Sequence, residues 1–276
     1  MKVKLWPDKD LAVKHVKADR VPLLVIRPAQ GLQRRIGVLW IHGGGYVTGM
    51  KEVVYMSRAM DLVRKFGVSV FSPGYRLAWL RPYPAAVQDC FAALRYMDEH
   101  KEDLGLSSIM VGGESAGGGL AVAVCMMARD KGISVSFQMP LYPMISNLDT
   151  VSSRDNHGKV WNTRRNHFGW KLYLRGDAKK AVSCYAAPAG ADDFHNLPPC
   201  YTFVGDGEPF YAETLQYVSD LRAAGVSAEV DVYHTDMHAF DMLRPDDELS
   251  RQAINRFEEV FRKKCLDRRD AAEDVQ

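Results

Sequence analysis

Apolar and polar positions alternate along this chain in a repeating order of short strand-like runs and longer helix-like ones. Leu11–Val16 and Val21–Arg27 open the series, and the second of these, VPLLVIR, is nearly all apolar. Ile36–His42 is a third strand-like run. Glu52–Phe66 places Val53, Met56, Met60 and Val63 at three- and four-residue steps, which predicts a helix. Val68–Ser72 reads as a strand, Ala85–His100 as a helix, Ser108–Val111 as a strand, Ala116–Arg129 as an apolar helix and Ile133–Met139 as a strand. Periodicity lapses from about Met144 to Pro199. It returns with a strand at Tyr201–Val204, a helix at Ala212–Ala224 closed by Gly225, a strand at Ala228–Tyr233 and a helix at Asp247–Lys264. The polar tail after Cys265 is expected to fray.

Strands that alternate with helices predict a mostly parallel sheet covered on both faces. There is no internal repeat and no low-complexity linker. We therefore expect a single α/β domain over residues 1–276, with the irregular stretch, roughly 144–199, inserted above the sheet as a small lid. Composition agrees: 276 residues, 47% apolar and 25% charged, suit one globular core. A formal net charge of +2 gives no global field for nucleic acid. Cys90, Cys125, Cys184, Cys200 and Cys265 are odd in number and scattered, without a C-x-x-C pair, so neither a disulfide framework nor a zinc site is expected. The N-terminal residues lack the apolar segment of a signal peptide. The longest apolar run, Leu120–Ala128, falls far short of the ~18 residues that span a bilayer. The expectation is a soluble, cytoplasmic protein with no stable membrane insertion and no metal or other cofactor.

Two glycine clusters carry the chemistry. Val38-Leu39-Trp40-Ile41 ends in His42-Gly43-Gly44-Gly45, and three bare residues in a row suit a place where backbone must approach another group closely. The second cluster, Gly113-Glu114-Ser115-Ala116-Gly117, lies between a strand and an apolar helix. That is the G-x-S-x-G pattern in its expected context, a strained turn that projects the serine hydroxyl. No G-x-x-x-x-G-K-[ST] and no G-x-G-x-x-G follows an early strand, which weighs against nucleotide binding.

A serine nucleophile needs a base, and the base needs a carboxylate. In α/β-hydrolases the chain order is Ser, acid, His. His238 follows the last predicted strand, as that order requires, whereas His234 sits at the strand's end and is expected in packing or solvent. The acid belongs after the Tyr201–Val204 strand, where both Asp206 and Glu208 are candidates. Asp241 fits the order poorly.

Taken together, these motifs resemble the hormone-sensitive-lipase-like, bacterial family IV esterases of the α/β-hydrolase superfamily. HGGG stands at His42–Gly45, YRLA at Tyr75–Ala78 with RPYPAAVQDC after it, and GESAGG at Gly113–Gly118. The resemblance implies a mostly parallel eight-stranded sheet flanked by helices with a small lid. It also implies an acid in a D-P-L or E-P-F motif about thirty residues before H-G-F or H-A-F. Glu208-Pro209-Phe210 lies 30 residues before His238-Ala239-Phe240, which favours Glu208. The implied machinery is Ser115, His238 and Glu208 for acyl transfer, and the backbone N–H groups of Gly43, Gly44 and Ala116 for the oxyanion. His42, Gly45, Tyr46, Glu114, Trp161, Phe168 and Phe210 are candidates for the substrate pocket, with His42 positioning the loop and not acting as a base.

Four departures stand out, one being that the acid is Glu instead of Asp, one methylene longer, so that the loop must compensate. Trp79-Leu80 replaces the usual Pro-Glu, Glu114 stands where many relatives have Asp, and the N-terminus is short, implying a reduced cap. The implied partner is a small ester of short chain length. Acetylated sugars or xylan fragments, or an amide, are the alternatives that the same triad could serve. A non-catalytic receptor of this fold would have lost the histidine, which is present here. A homodimer is common in the family and is carried on that ground alone. Residues Val151–Lys180 hold Arg154, Lys159, Arg164, Arg165, Lys171, Arg175, Lys179 and Lys180, read chiefly as a solvated outer face of the lid and otherwise as steering for anionic esters.

Overall fold

A computed structural model describes residues 9–175 and 182–273, with the side chains of 265–273 excepted. Eight strands form one sheet: β1 (Leu11–Ala18), β2 (Val21–Pro28), β3 (Ile36–Ile41), β4 (Ser69–Pro73), β5 (Ser108–Glu114), β6 (Gln138–Leu141), β7 (Cys200–Gly205) and β8 (Ala228–Tyr233). Their order across the sheet is β1-β2-β4-β3-β5-β6-β7-β8. Only β2 pairs antiparallel, with β1 and β4; all other pairs are parallel. β3, β4, β6 and β7 are buried along their whole length, and β5 from Ile109 onward, as strands covered on both faces must be.

Seven α-helices accompany the sheet among the described residues: α1 (Ala59–Phe66), α2 (Ala85–Glu99), α3 (Ala116–Asp130), α4 (Thr163–Leu174), α5 (Tyr211–Ala223), α6 (Phe240–Leu243) and α7 (Glu248–Glu273). One apolar cluster joins α2, α3, α5 and α4 to one face through Leu94, Leu120, Val124, Leu221 and Trp170. The other joins α1 and α7 to the opposite face through Leu62, Phe66, Phe257 and Phe261.

Four expectations are corrected. The single helix expected over Glu52–Phe66 is two: a 3-10 turn, Lys51–Met56, and α1. Ser57 divides them, because its hydroxyl donates to the Val54 carbonyl and accepts from the Ala59 N–H, competing with helical bonding. The strand expected at Ile133–Met139 begins only at Gln138. Ile133 is tied to the end of α3 by a bond from its N–H to the Ala128 carbonyl. The irregular stretch contains α4, whose buried Asn166, Gly169, Trp170 and Tyr173 fall at helical spacing. Its exposed positions are so polar and basic that the periodicity is hard to see in TRRNHFGWKLYL. Finally, the expected fraying tail continues as helix to Glu273. Lys179, Lys180 and the rest of 176–181 lie outside the described residues, as does the Cys265 side chain; Cys90, Cys125, Cys184 and Cys200 are free thiols.

The sheet interior carries one carboxyl at an unusual depth. Glu114, the last residue of β5, accepts a hydrogen bond at 2.7 Å from the Trp40 indole N–H of β3. Its other oxygen has no hydrogen-bond partner among the described residues. Burial pushes its pKa up to about 8. The folded chain therefore holds a proton there that the unfolded chain releases near pH 4.5. Stability from this site is highest below that pH and falls as pH rises toward 8. Glu114→Gln should remove that slope. Thermal unfolding at pH 5 and pH 8 should show a variant close to wild type at pH 5 and more stable at pH 8, by on the order of 2 kcal/mol. A wild-type slope in the variant would contradict the assignment.

Candidate active site

The site forms where β3 and β5, paired in parallel from Ile36↔Ser108 to Ile41↔Gly113, run out of the sheet together. The chain leaving β5 turns sharply into α3 at Ser115, whose backbone sits at φ 57, ψ −121. A non-glycine residue at positive φ is strained and is held only by its surroundings. Here the surroundings are backbone. A Cβ on Gly117 would stand 2.0 Å from the Ile41 carbonyl oxygen, and one on Gly113 would stand 2.6 Å from the Gly117 carbonyl oxygen. A Cβ on Gly43 would lie 2.8 Å from the Glu114 carbonyl. The two clusters are thus pressed against each other, and Gly43, Gly113 and Gly117 admit no side chain.

His238 arrives from the loop after β8. Its Nε2 lies 2.9 Å from the Ser115 hydroxyl oxygen, and its Nδ1 is hydrogen-bonded to Glu208 Oε2. Glu208 is completely buried, and its Oε1 accepts from the Gly205 N–H at 2.6 Å. The two acids left open by the sequence are separated by geometry. Asp206 faces solvent and bonds to the exposed His234 (2.8 Å) and to the Thr235 N–H (3.1 Å). Asp241 is buried behind the site, where it accepts from the Tyr142 hydroxyl (2.8 Å) and pairs with Arg58 (3.2 Å). Two rings stand nearly perpendicular to the His238 imidazole, Tyr142 and Phe210, each with centroids 5.0 Å away.

The glycine loop beside Ser115 has two backbone N–H groups, of Gly43 and Gly44, with no acceptor among the described residues. Ala116 begins α3, so its N–H is one of the groups a helix start leaves unpaired, and the positive end of the helix dipole points the same way. Beneath the loop, His42 is stacked on Tyr75 (4.2 Å, 15°), with its Nδ1 2.7 Å from the Gly43 carbonyl. Burial lowers its pKa to about 4, so it stays neutral, and Nδ1–H donates to that carbonyl.

A cavity of about 270 Å³ opens over Ser115. Of the pocket candidates, Gly45, Glu114 and Trp161 line it. The others do not. His42 and Tyr46 are buried under the loop, Phe210 is packed behind His238, and Phe168 lies on the outer side of α4 with 57% of its surface exposed. Phe168 and Phe210 look alike in sequence; helix phase and loop path separate them. The cavity's apolar walls come from Val53, Val160, Trp161, Met242 and Leu243, most of which carry no signal in the sequence that would single them out. Met242 and Leu243 follow His238 so closely that its loop carries them in. Arg154, Lys159, Arg164, Arg165, Lys171 and Arg175, between β6 and β7, are all exposed to solvent. Trp79 and Leu80, the departure from the family motif, are exposed as well.

Among the described residues no cluster of His, Cys, Asp and Glu could hold a metal ion, and no helix is long and apolar enough to cross a membrane. A family profile described as alpha/beta hydrolase fold matches residues 38–242. Curated relatives include "Esterase LipI" of Mycobacterium tuberculosis, 32% identical over 208 residues, which are 74% of this chain and 65% of that protein. They also include "Carboxylic ester hydrolase LipN" of the same organism, 30% identical over 81% of this chain and 61% of that protein. The chain thus spans less than two thirds of the length of either. Among solved structures, "Bacterial Heroin Esterase" is 30% identical and superposes with a TM-score of 0.89, covering 95% of this chain and 87% of that one. The chain belongs to the α/β-hydrolase family, within its hormone-sensitive-lipase-like branch.

Proposed function

We propose that the protein is a serine carboxylesterase that hydrolyses short-chain esters through an acyl-enzyme. The observation that carries this reading is the unbroken path from the Ser115 hydroxyl through His238 to the buried Glu208 carboxylate. The relatives named esterases and ester hydrolases support it.

Ser115 is the nucleophile. Its hydroxyl is weak at neutral pH, so His238 Nε2 takes the proton as Oγ attacks the ester carbonyl. The Nδ1–H of His238 donates to Glu208. That bond fixes the tautomer that leaves Nε2 an acceptor, and the carboxylate stabilises the imidazolium formed during attack. The carbonyl oxygen becomes an anion and is met by the N–H groups of Gly43, Gly44 and Ala116, each worth roughly 3–4 kcal/mol to the transition state. The imidazolium then protonates the leaving alcohol, and water, activated by the same histidine, releases the acid.

The cavity supports the substrate class. About 270 Å³ with apolar walls suits a short acyl or alcohol group better than a long chain. On this reading the chain works as one domain, and the stretch between β6 and β7 is a small lid whose Trp161 closes one side of the pocket.

Ser115→Ala should abolish turnover of p-nitrophenyl acetate and fluorophosphonate labelling while leaving the far-UV circular dichroism unchanged; retained turnover would refute the nucleophile. Glu208→Gln should lower kcat by roughly 10²-fold or more, whereas Asp206→Asn should stay within about twofold of wild type. The reverse order would move the acid to Asp206. Across p-nitrophenyl esters from acetate to decanoate, kcat/KM should peak between acetate and butyrate, and a maximum at decanoate would reject the short-chain assignment.

A further inference from the structure

The glycine loop is held from the side by α4. Gly44 (φ +116), Gly45 (φ +60) and Tyr46 (φ +65) follow one another with positive φ. Tyr46 has none of glycine's freedom, so its backbone is kept there by what surrounds its side chain. The ring stacks on Tyr173 at 4.0 Å with 12° between planes, and Trp170 packs against it at 5.3 Å. The hydroxyl donates to the Met144 carbonyl at 2.7 Å. Tyr173 and Trp170 both lie on the buried side of α4.

The helix also touches the loop's backbone. A Cβ on Gly169, in the middle of α4, would stand 3.0 Å from the Gly45 carbonyl oxygen. A Cβ on Gly45 would stand 2.2 Å from the Trp161 indole, just ahead of the helix. At Gly45 the contact excludes a methyl group, and at Gly169 a methyl fits only if the Gly45 carbonyl gives by a few tenths of an ångström.

We propose that α4 is a positioning element for the oxyanion-binding loop, with Tyr46 as the pin that α4 grips. A loop of three glycines has no side chain to fix it, yet donors aimed at a developing anion lower the barrier only if they need not reorganise. His42 holds the loop from beneath at the Gly43 carbonyl, and Tyr46, immediately after the glycines, supplies a second anchor on the side of α4. The inserted stretch then acts on the attack step, beyond covering substrate. This rests on the esterase reading above.

Gly169→Ala tests it. Alanine favours helix over glycine, so α4 itself is not weakened. The new methyl pushes on the Gly45 carbonyl by a few tenths of an ångström. With p-nitrophenyl acetate, kcat should fall roughly tenfold while KM stays within about twofold, since small misplacements at the reacting centre act on the transition state. Inhibition by a trifluoromethyl ketone, whose serine adduct carries the oxyanion, should weaken in step, with Tm unchanged or raised. Tyr46→Phe keeps the stack and removes the Met144 tether, and should lower kcat by roughly threefold. Gly190→Ala, in the same stretch where a Cβ meets nothing within 4 Å, should match wild type. A wild-type kcat in Gly169→Ala, or a loss confined to KM, overturns the proposal. If that variant does not fold, a wild-type kcat in Tyr46→Phe does the same. If the unmodified protein neither turns over esters nor is labelled at Ser115 by a fluorophosphonate, the esterase reading fails first and takes this proposal with it.

Discussion

The approach of two bare backbones governs this site. At the ends of β3 and β5 the chain segments at His42–Gly45 and Gly113–Gly117 lie so near each other that a single methyl on Gly117 would sit 2.0 Å from a carbonyl oxygen. That closeness forces the positive φ of Ser115, raises its hydroxyl above the sheet and sets the loop's unpaired N–H groups beside it. The parallel register of β3 and β5 makes the approach possible, because both strands end on the same side of the sheet. Much of the surrounding structure serves to keep this arrangement from relaxing.

Charge is placed around the site by burial as much as by pairing. Asp206 and Glu208 stand two residues apart on one loop, yet one bonds to an exposed histidine and the other to the histidine that faces Ser115. Solvent screens the first pair, whereas the second is sealed behind Phe210 and Tyr142, where a hydrogen-bonded carboxylate can hold its partner in one orientation. Asp241, three residues past His238, is drawn inward by Tyr142 and Arg58. The break at Ser57 that interrupts the first helical stretch places Arg58 just before α1, from which it reaches Asp241. His42 is kept neutral by the same dryness.

The stretch between β6 and β7 shows how packing overrides surface appearance. Its cations among the described residues are exposed, but the inner side of α4 carries aromatic rings and a glycine, fitted to the loop at Gly45 and Tyr46. The polar face draws notice in the sequence; the thin buried stripe does the work of attachment.

The sequence by itself determined the alternation of strands and helices, the two glycine clusters and the order Ser, acid, His, because these depend on local geometry: which residues admit a tight turn, and which periodicity buries a face. Seven of the eight strands and the helices from Ala85, Ala116 and Ala212 were legible on that ground. The choice between Asp206 and Glu208 leaned on resemblance, since two carboxylates two residues apart look equivalent until the loop's path turns one inward. Tertiary structure alone decided that Phe168 faces water while Phe210 backs the imidazole, that Met242 and Leu243 wall the cavity, and that α4 exists as the partner of Tyr46. Each of these depends on which distant segment lies within a few ångströms, and neighbours along a chain carry no record of that distance.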